Sequence, residues 1–445
     1  MTLAVDSELA ALVGSSHVLT DPAACAGMSV DDKVPDCTVT PAKAEQVAAV
    51  LQYAGQHRRA VIAVGQGTKL STGNPPQRYD IALSLRKLNR VIHFEPADLT
   101  ICVEPGMTFG EFQTLVGAQG LWLPLDPRGG AEASIGGIIA ANTAGPLRQA
   151  FGGPRDMVLG LRIATTEGKF AKTGGRVVKN VAGYDFGKLL TGSYGTLGVI
   201  VEACLKLFPK PPERATFTMQ AGTLGIARDV RRSILRSSLS PMRLALLDSA
   251  ANTLLDNPRE SDAKPGVELW IEVGGSHRVI ERCAFELKQL ASGVGGVLVR
   301  REGAEVAWGK IADLARWLRP KYGDVTVLKA ALPLAGSEEF LSRAQQEAEA
   351  EKIGLASFAQ VGVGIVHLCV LQERRTPNLL GWTARLRQAA ADLGGSLMIE
   401  HCPVEFKSGV DVWGARGDDL EAMRKLKAAW DPHAVLAPGR FVGGI

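Results

Sequence analysis

Glycine-rich turns that follow strand-like runs are the stretches of this sequence best suited to chemistry. They present successive backbone N–H groups to an anion that a side chain would hold off. Arg59-Ala-Val-Ile-Ala-Val64 runs into Gly65-Gln66-Gly67-Thr68 and then a polar stretch to Gly73. A denser tract follows with Gly129-Gly130, Gly136-Gly137, Gly152-Gly153, Gly174-Gly175, Gly183, Gly187, Gly192, Gly195 and Gly198. The spacing excludes two common phosphate cradles: no glycine stands three residues after Gly67, so G-x-G-x-x-G fails, and no G-x-x-x-x-G-K-[ST] occurs. Alone, Gly65-x-Gly67 is an ordinary surface turn, and the later tract is what gives it weight. Proton-transfer candidates come late, at His367 and at Glu400-His401-Cys402-Pro403. A Glu-His pair beside a strand can act as an acid/base couple. A histidine next to proline is more often structural, and a lone histidine in an apolar run such as His367 reads as core.

These residues need a scaffold. Thr40-Pro41 predicts a helix start, with Val47, Val50, Leu51 and Ala54 forming its apolar stripe. Strand-like runs follow at 80–85, 91–94 and 99–103, and Thr108-x-x-Glu111 reads as a capping box opening a helix through Phe112, Leu115 and Val116. Leu205-Lys-Leu-Phe-Pro-Lys-Pro-Pro212 marks a boundary. Beyond it come amphipathic helices around 279–290, 306–318 and 338–351, strand-like runs at 268–273, 324–328 and 364–371, and a last helix around 420–430. The pattern is α+β.

The chain has 445 residues with a net charge of +4 and no basic tract, which argues against nucleic acid as a partner. The seven cysteines (Cys25, Cys37, Cys102, Cys204, Cys283, Cys369, Cys402) form no C-x-x-C pair, so neither a metal centre nor a disulfide framework is expected. With no signal-like N-terminus and no long apolar span, a soluble cytoplasmic protein with reduced thiols is expected.

Several ordered segments carry a family resemblance: Val64-Gly-Gln-Gly-Thr-Lys-Leu-Ser-Thr-Gly73, Leu123-Pro-Leu-Asp-Pro127, Ala133-Ser-Ile-Gly-Gly-Ile-Ile-Ala-Ala-Asn-Thr-Ala-Gly145 and Gly192-Ser-Tyr-Gly-Thr-Leu-Gly-Val-Ile200. They resemble the PCMH-type FAD-binding domain of the vanillyl-alcohol-oxidase superfamily. The run from Gly175 to Gly198 and the tail from Lys427 to Gly444 resemble more closely the FAD-binding subunit of bacterial glycolate oxidase. The resemblance implies a two-lobed FAD-binding domain with an inserted α+β cap: an N-terminal extension at 1–34, the FAD domain at 35–212, the cap at 213–399, and a C-terminal segment, 400–445, returning to the FAD domain. It places the flavin on Gly65, Gln66, Gly67, Thr68, Lys69, Pro127, Ser134, Ile135, Gly136, Gly137, Ala140, Asn142, Thr143, Gly195, Thr196, Gly198, Val199 and Ile200. Because Gly65–Thr68 holds no histidine, the FAD is expected to be non-covalent. Arg176, Lys179 and Tyr184 are its anion-binding candidates, and Glu400 and His401 its catalytic ones.

Catalytic relatives carry H-x-G-D-G-N-x-H in the cap, whereas this chain reads Gln360-Val-Gly-Val-Gly-Ile-Val-His367. Three oxygen or nitrogen ligands cannot be assembled from that stretch, so no metal is expected. The resemblance implies oxidation of a small 2-hydroxy acid beside a catalytic flavoprotein subunit and an iron–sulfur subunit, any membrane association running through those partners. A self-sufficient 2-hydroxy-acid dehydrogenase with His401 as base, and a non-catalytic FAD-binding subunit, are the alternatives.

Overall fold

The computed structural model describes residues 2–176, 184–255, 266–323, 325–371, 378–414 and 417–445. The chain divides into two compact units, one built from 1–144, 153–210 and 407–445, the other from 145–152 and 211–406.

The first unit holds two principal sheets. Strands β1 (Val18–Leu19), β2 (Cys37–Val39), β3 (Val61–Val64) and β4 (Ile81–Ser84) align in the order β1-β2-β4-β3, with β2, β4 and β3 parallel. The crossover that parallel pairing requires is the helix Ala44–His57. Its stripe of Val47, Val50, Leu51 and Ala54 packs on Ile81 and Leu83, and Arg58 closes it in the left-handed conformation. This helix begins three residues later than Thr40-Pro41 suggests, with Lys43 at its N-cap. The Gln46 side chain takes the Ala42 N–H and so fixes the entry.

The other sheet of this unit is antiparallel throughout. It comprises β5 (Val91–Glu95), β6 (Thr100–Val103), β8 (Val158–Ala164), β9 (Phe170–Gly174) and β10 (Val199–Lys206), ordered β5-β6-β10-β8-β9. A short β7 (Leu121–Trp122) pairs with β11 (Phe208–Pro209). Thr108 and Glu111 form the expected capping box at the helix Phe109–Gly117. The C-terminal segment runs beside β3, where Val61 N–H donates to Val435 and Ala437 N–H to Val61.

The expectation of reduced thiols fails at one place. Antiparallel pairing sets Cys102 directly opposite Cys204, and the two form a disulfide across β6 and β10. The partners lie 102 residues apart, so only the strand register brings them together. The other five cysteines are buried and not disulfide-bonded.

The second unit is an eight-stranded antiparallel sheet: β12 (Glu213–Ala221), β13 (Arg243–Leu247), β14 (Val267–Gly275), β15 (Leu298–Arg301), β16 (Thr326–Ala331), β17 (Gly354–Gln360), β18 (Ile365–Leu371) and β19 (Ser396–His401), ordered β15-β12-β14-β13-β17-β18-β16-β19. Trp270, Val327, Phe358 and Cys369 meet Trp308, Ile311, Leu314 and Leu318 in one core. The helix expected over 306–318 is two, Glu305–Ala312 and Leu314–Tyr322, broken where Asp313 leaves helical geometry. Among the described residues no helix is long and apolar enough to cross a membrane.

Candidate functional site: a glycine-lined cleft

Strand β3 ends at Val64, and Gly65 turns the chain against the helix Ile135–Ala140. Ser134 caps that helix, its Oγ accepting the Gly137 N–H at 3.3 Å. A Cβ on Gly65 would lie 2.0 Å from that Oγ, and one on Gly136 would lie 2.5 Å from Pro105 Cβ. On the far side, a Cβ on Gly198 would stand 2.7 Å from Ile163 Cδ1. These glycines let three backbone segments converge on a cleft enclosing about 530 Å³, solvent-open space included.

Of the residues expected to hold the cofactor, Gly65, Ser134, Gly136, Gly137, Ala140, Gly195, Gly198, Val199 and Ile200 line this cleft. Ile135 and Thr196, chain neighbours of these lining residues, are buried. Gln66, Gly67, Thr68 and Lys69 form the adjoining loop. Lys69 Nζ donates to the Arg128 carbonyl at 2.8 Å, joining the loop to the turn after Pro127. The N–H groups of Gly65, Gln66, Gly67 and Thr68 find no acceptor among the described residues. Asn142 adopts φ +47, next to Thr143, and its buried Oδ1 lacks a donor among those residues. Sequence reasoning missed Ala63, Leu85, Pro105, Leu190, Ser193 and Tyr194, which also line the cleft. Ser193 and Tyr194 lie inside the quoted Gly192–Ile200 run, so a signal existed for them. The others are set by tertiary packing.

Two parts of the C-terminal segment hold the cleft's loops. Lys427 Nζ donates to the carbonyls of Thr196 (2.8 Å) and Leu436 (2.7 Å) and pairs with Asp431 (2.7 Å). Burial pulls the Lys427 ammonium below its usual pKa, and Asp431 partly offsets this. Tyr194, Trp413 and Phe441 pack ring to ring at 4.9–5.9 Å.

The remaining candidates are placed elsewhere. Arg176 is exposed, Tyr184 is 87% exposed, and neither lines the cleft. Lys179 lies outside the described residues. In the second unit, β18, β16 and β19 bring two histidines and their neighbours together. His367 Nε2 lies 3.8 Å from the Glu400 carboxylate and its ring stacks on Phe358 at 4.4 Å. His401, buried, has Nε2 3.4 Å from Arg319 Nη2. Among the described residues the one grouping of metal-ligand type is Cys102, Glu202 and Cys204, and its two sulfurs are bonded to each other.

A cleft walled by glycine backbone, with a loop of four unused N–H donors and an orphaned amide oxygen, fits a dinucleotide carrying a diphosphate and a flat ring. The family model of the FAD binding domain matches residues 35–174, and that of the C-terminal domain of FAD linked oxidases matches residues 210–441. The chain belongs to the FAD-linked oxidases, and FAD is its cofactor. It is 27% identical to the glycolate oxidase subunit GlcD of Bacillus subtilis over 92% of this chain and 89% of that one. It is 27% identical to the mitochondrial D-lactate dehydrogenase [cytochrome] of Arabidopsis thaliana (92% and 74% covered), and 28% identical to the D-2-hydroxyglutarate dehydrogenase of Xanthomonas citri (90% and 88%). The fold is shared with p-cresol methylhydroxylase (TM-score 0.77, 17% identity, 98% and 96% covered). It is shared too with 4-ethylphenol oxidase from Gulosibacter chungangensis (TM-score 0.77, 14% identity, 99% and 97%). The protein is an FAD-dependent oxidoreductase of two-domain α+β architecture.

Proposed function

We propose that this chain is the FAD-binding subunit of a complex that oxidises a small 2-hydroxy acid, glycolate or a close analogue, to the 2-oxo acid and passes the electrons to a partner. The observation that carries this reading is the cap stretch Gln360–His367. Val363 and Ile365 stand where catalytic relatives carry an acid and an amide, and His367 alone keeps its ligand-type side chain. GlcD, a glycolate oxidase subunit, supports a multi-subunit setting. The partners of this reading are a catalytic flavoprotein subunit and an iron–sulfur subunit, and the setting is cytoplasmic.

FAD, when bound, accepts the hydride that the 2-hydroxy carbon gives up. The chain's own part is to hold it. Gly65–Thr68 would hold the diphosphate through their N–H groups, with Ser134–Gly137 and Ala140 as its further backbone contacts, and Gly195–Ile200 would hold the ring. The attachment is non-covalent, because Gly65-Gln66-Gly67-Thr68 offers no histidine. The first unit is the flavin-binding part and the second the cap.

A second reading, a self-sufficient dehydrogenase, is favoured by the pairing of His401 with Arg319 and of His367 with Glu400. There His401 Nε2 would take the hydroxyl proton as the carbonyl forms. An anaerobic visible spectrum of the purified chain separates the two. Flavin that stays oxidised with glycolate or D-lactate until partner subunits are added supports the complex reading. Flavin that bleaches with the acid alone establishes the second, and a chain that cannot be reconstituted with FAD removes both.

A further inference from the structure

The two ends of the chain meet on one short loop. Leu70-Ser-Thr-Gly73 follows Gly65–Thr68 after the single residue Lys69, and the carbonyls of Leu70, Ser71 and Thr72 are held by cations from the C-terminal segment. Arg440 Nη2 donates to Leu70 at 2.6 Å and also to Thr72. Lys407 Nζ donates to Ser71 at 2.6 Å and to the Asp31 carboxylate at 2.7 Å. Next along, Asn74 donates to Asp411 and to the Phe441 carbonyl and accepts from the Val412 N–H. The Arg440 carbonyl accepts from Trp413 Nε1 at 2.9 Å. Gly73, at φ +98, passes this carbonyl so closely that a Cβ would lie 2.7 Å away.

Arg440 and Lys407 are both buried, and burying an ammonium or a guanidinium costs several kcal/mol per ion before its contacts repay it. A turn that needed only to reverse direction would be served by neutral donors. What the cations accomplish is to take three successive carbonyls, of residues 70, 71 and 72. Arg440 Nη1 and Asp31 Oδ2 are buried and without partners among the described residues, so this arrangement is held at a cost. Gly65–Thr68, which Lys69 links to this stretch, are the residues whose N–H groups find no acceptor among the described residues.

We propose that Arg440 is the positioning residue of the diphosphate loop. With Lys407 and Asp31 it fixes Leu70–Thr72 so that the N–H groups of Gly65–Thr68 stay presented to the FAD diphosphate. Flavin affinity is thus set from both ends of the chain. The proposal rests on assigning the diphosphate to Gly65–Thr68.

The test titrates apoprotein with FAD and, separately, with riboflavin, which has the ring but no phosphate, following flavin fluorescence. Wild type is compared with Arg440→Lys, Arg440→Met and Asp31→Asn. Arg440→Met is expected to weaken FAD at least about tenfold while changing riboflavin by less than about twofold, with Arg440→Lys and Asp31→Asn between it and wild type. Equal weakening of FAD and riboflavin would mean a general structural role and overturns the proposal, as does unchanged FAD affinity. If Arg440→Met does not fold, the Arg440→Lys and Asp31→Asn ratios decide by the same criterion. A wild type that binds neither flavin overturns the cofactor assignment and this proposal together. A wild type that binds FAD beside variants that bind it equally well overturns this proposal alone.

Discussion

Lys427, on the last helix Asp419–Trp430, holds the carbonyl of Thr196 at 2.8 Å across 231 residues of sequence. Thr196 lies in the turn between Gly195 and Gly198, both of which line the cleft. The same ammonium takes the Leu436 carbonyl and the Asp431 carboxylate, while Asp431 accepts from the N–H groups of Val435 and Leu436. One buried ion pair therefore ties the tail, the strand beside it and the turn of the cleft into a single network.

Removing one partner of such a pair leaves the other charge buried. Lys427→Met is expected to lower stability by about 3–5 kcal/mol, read from denaturant midpoints of the apoprotein. A change below about 1 kcal/mol would mean that Asp431 is satisfied by its backbone donors alone.

Gly65 and Ser134 test the cleft directly. Gly65→Ala puts a Cβ 2.0 Å from Ser134 Oγ and 3.0 Å from Ser134 Cβ, so the loop must shift. The purified variant is expected to carry less than about a tenth of the wild-type flavin per chain by visible absorbance. Gly65→Ala/Ser134→Ala removes the nearer obstruction and is expected to recover part of it, less the loss of about 1 kcal/mol for the missing cap. Wild-type flavin content in the single variant would sink the placement of the loop.

The capping box at Thr108 gives a pH signature. Glu111 Oε2 accepts from Thr108 N–H at 2.9 Å and Oγ1 at 2.7 Å, which holds its carboxyl below the usual range. A carboxylate with a depressed folded pKa contributes stability in full above its unfolded value, 4.5, and loses it as pH falls through the folded one. The stability difference between wild type and Glu111→Gln is expected to be constant above about pH 5.5 and to shrink below about 4.5. A difference that persists at pH 3 would show that the carboxylate charge is not what matters. The box bears on the cleft because the next residue, Phe109, donates to the Ala133 carbonyl beside Ser134.

Much of this was legible in the sequence because it is local. The stripe Val47, Val50, Leu51, Ala54, the Thr108–Glu111 box and the alternation of glycine tracts with strands depend on neighbours a few residues away. The cleft was half legible: its glycines announce themselves, whereas Pro105, Leu85 and Ala63 enter it only through the convergence of separate strands. The Cys102–Cys204 bond and the grip of Lys427 on Thr196 were invisible, since each joins residues more than a hundred positions apart and depends on register or tail placement. Asp313 ended a helix whose apolar spacing continued unbroken through it, since the side chains on both sides still reach one core.

His401 is where the two functional readings part. Its Nε2 lies 3.4 Å from Nη2 of the Arg319 guanidinium, a group that donates and cannot accept. To take a proton at Nε2, the imidazole must turn away from this guanidinium. If the chain oxidises its substrate unaided, His401→Asn is expected to slow flavin reduction by about a hundredfold or more, measured by anaerobic stopped flow, with FAD affinity unchanged. Arg319→Met would then remove the guanidinium that stands 3.4 Å from Nε2 and is expected to change the rate of flavin reduction measured in the same way. If the chain serves as an FAD-binding subunit, His401→Asn changes flavin reduction in the assembled complex by less than about threefold. The same substitution then costs only the packing of one buried ring, visible as a modest loss of thermal stability.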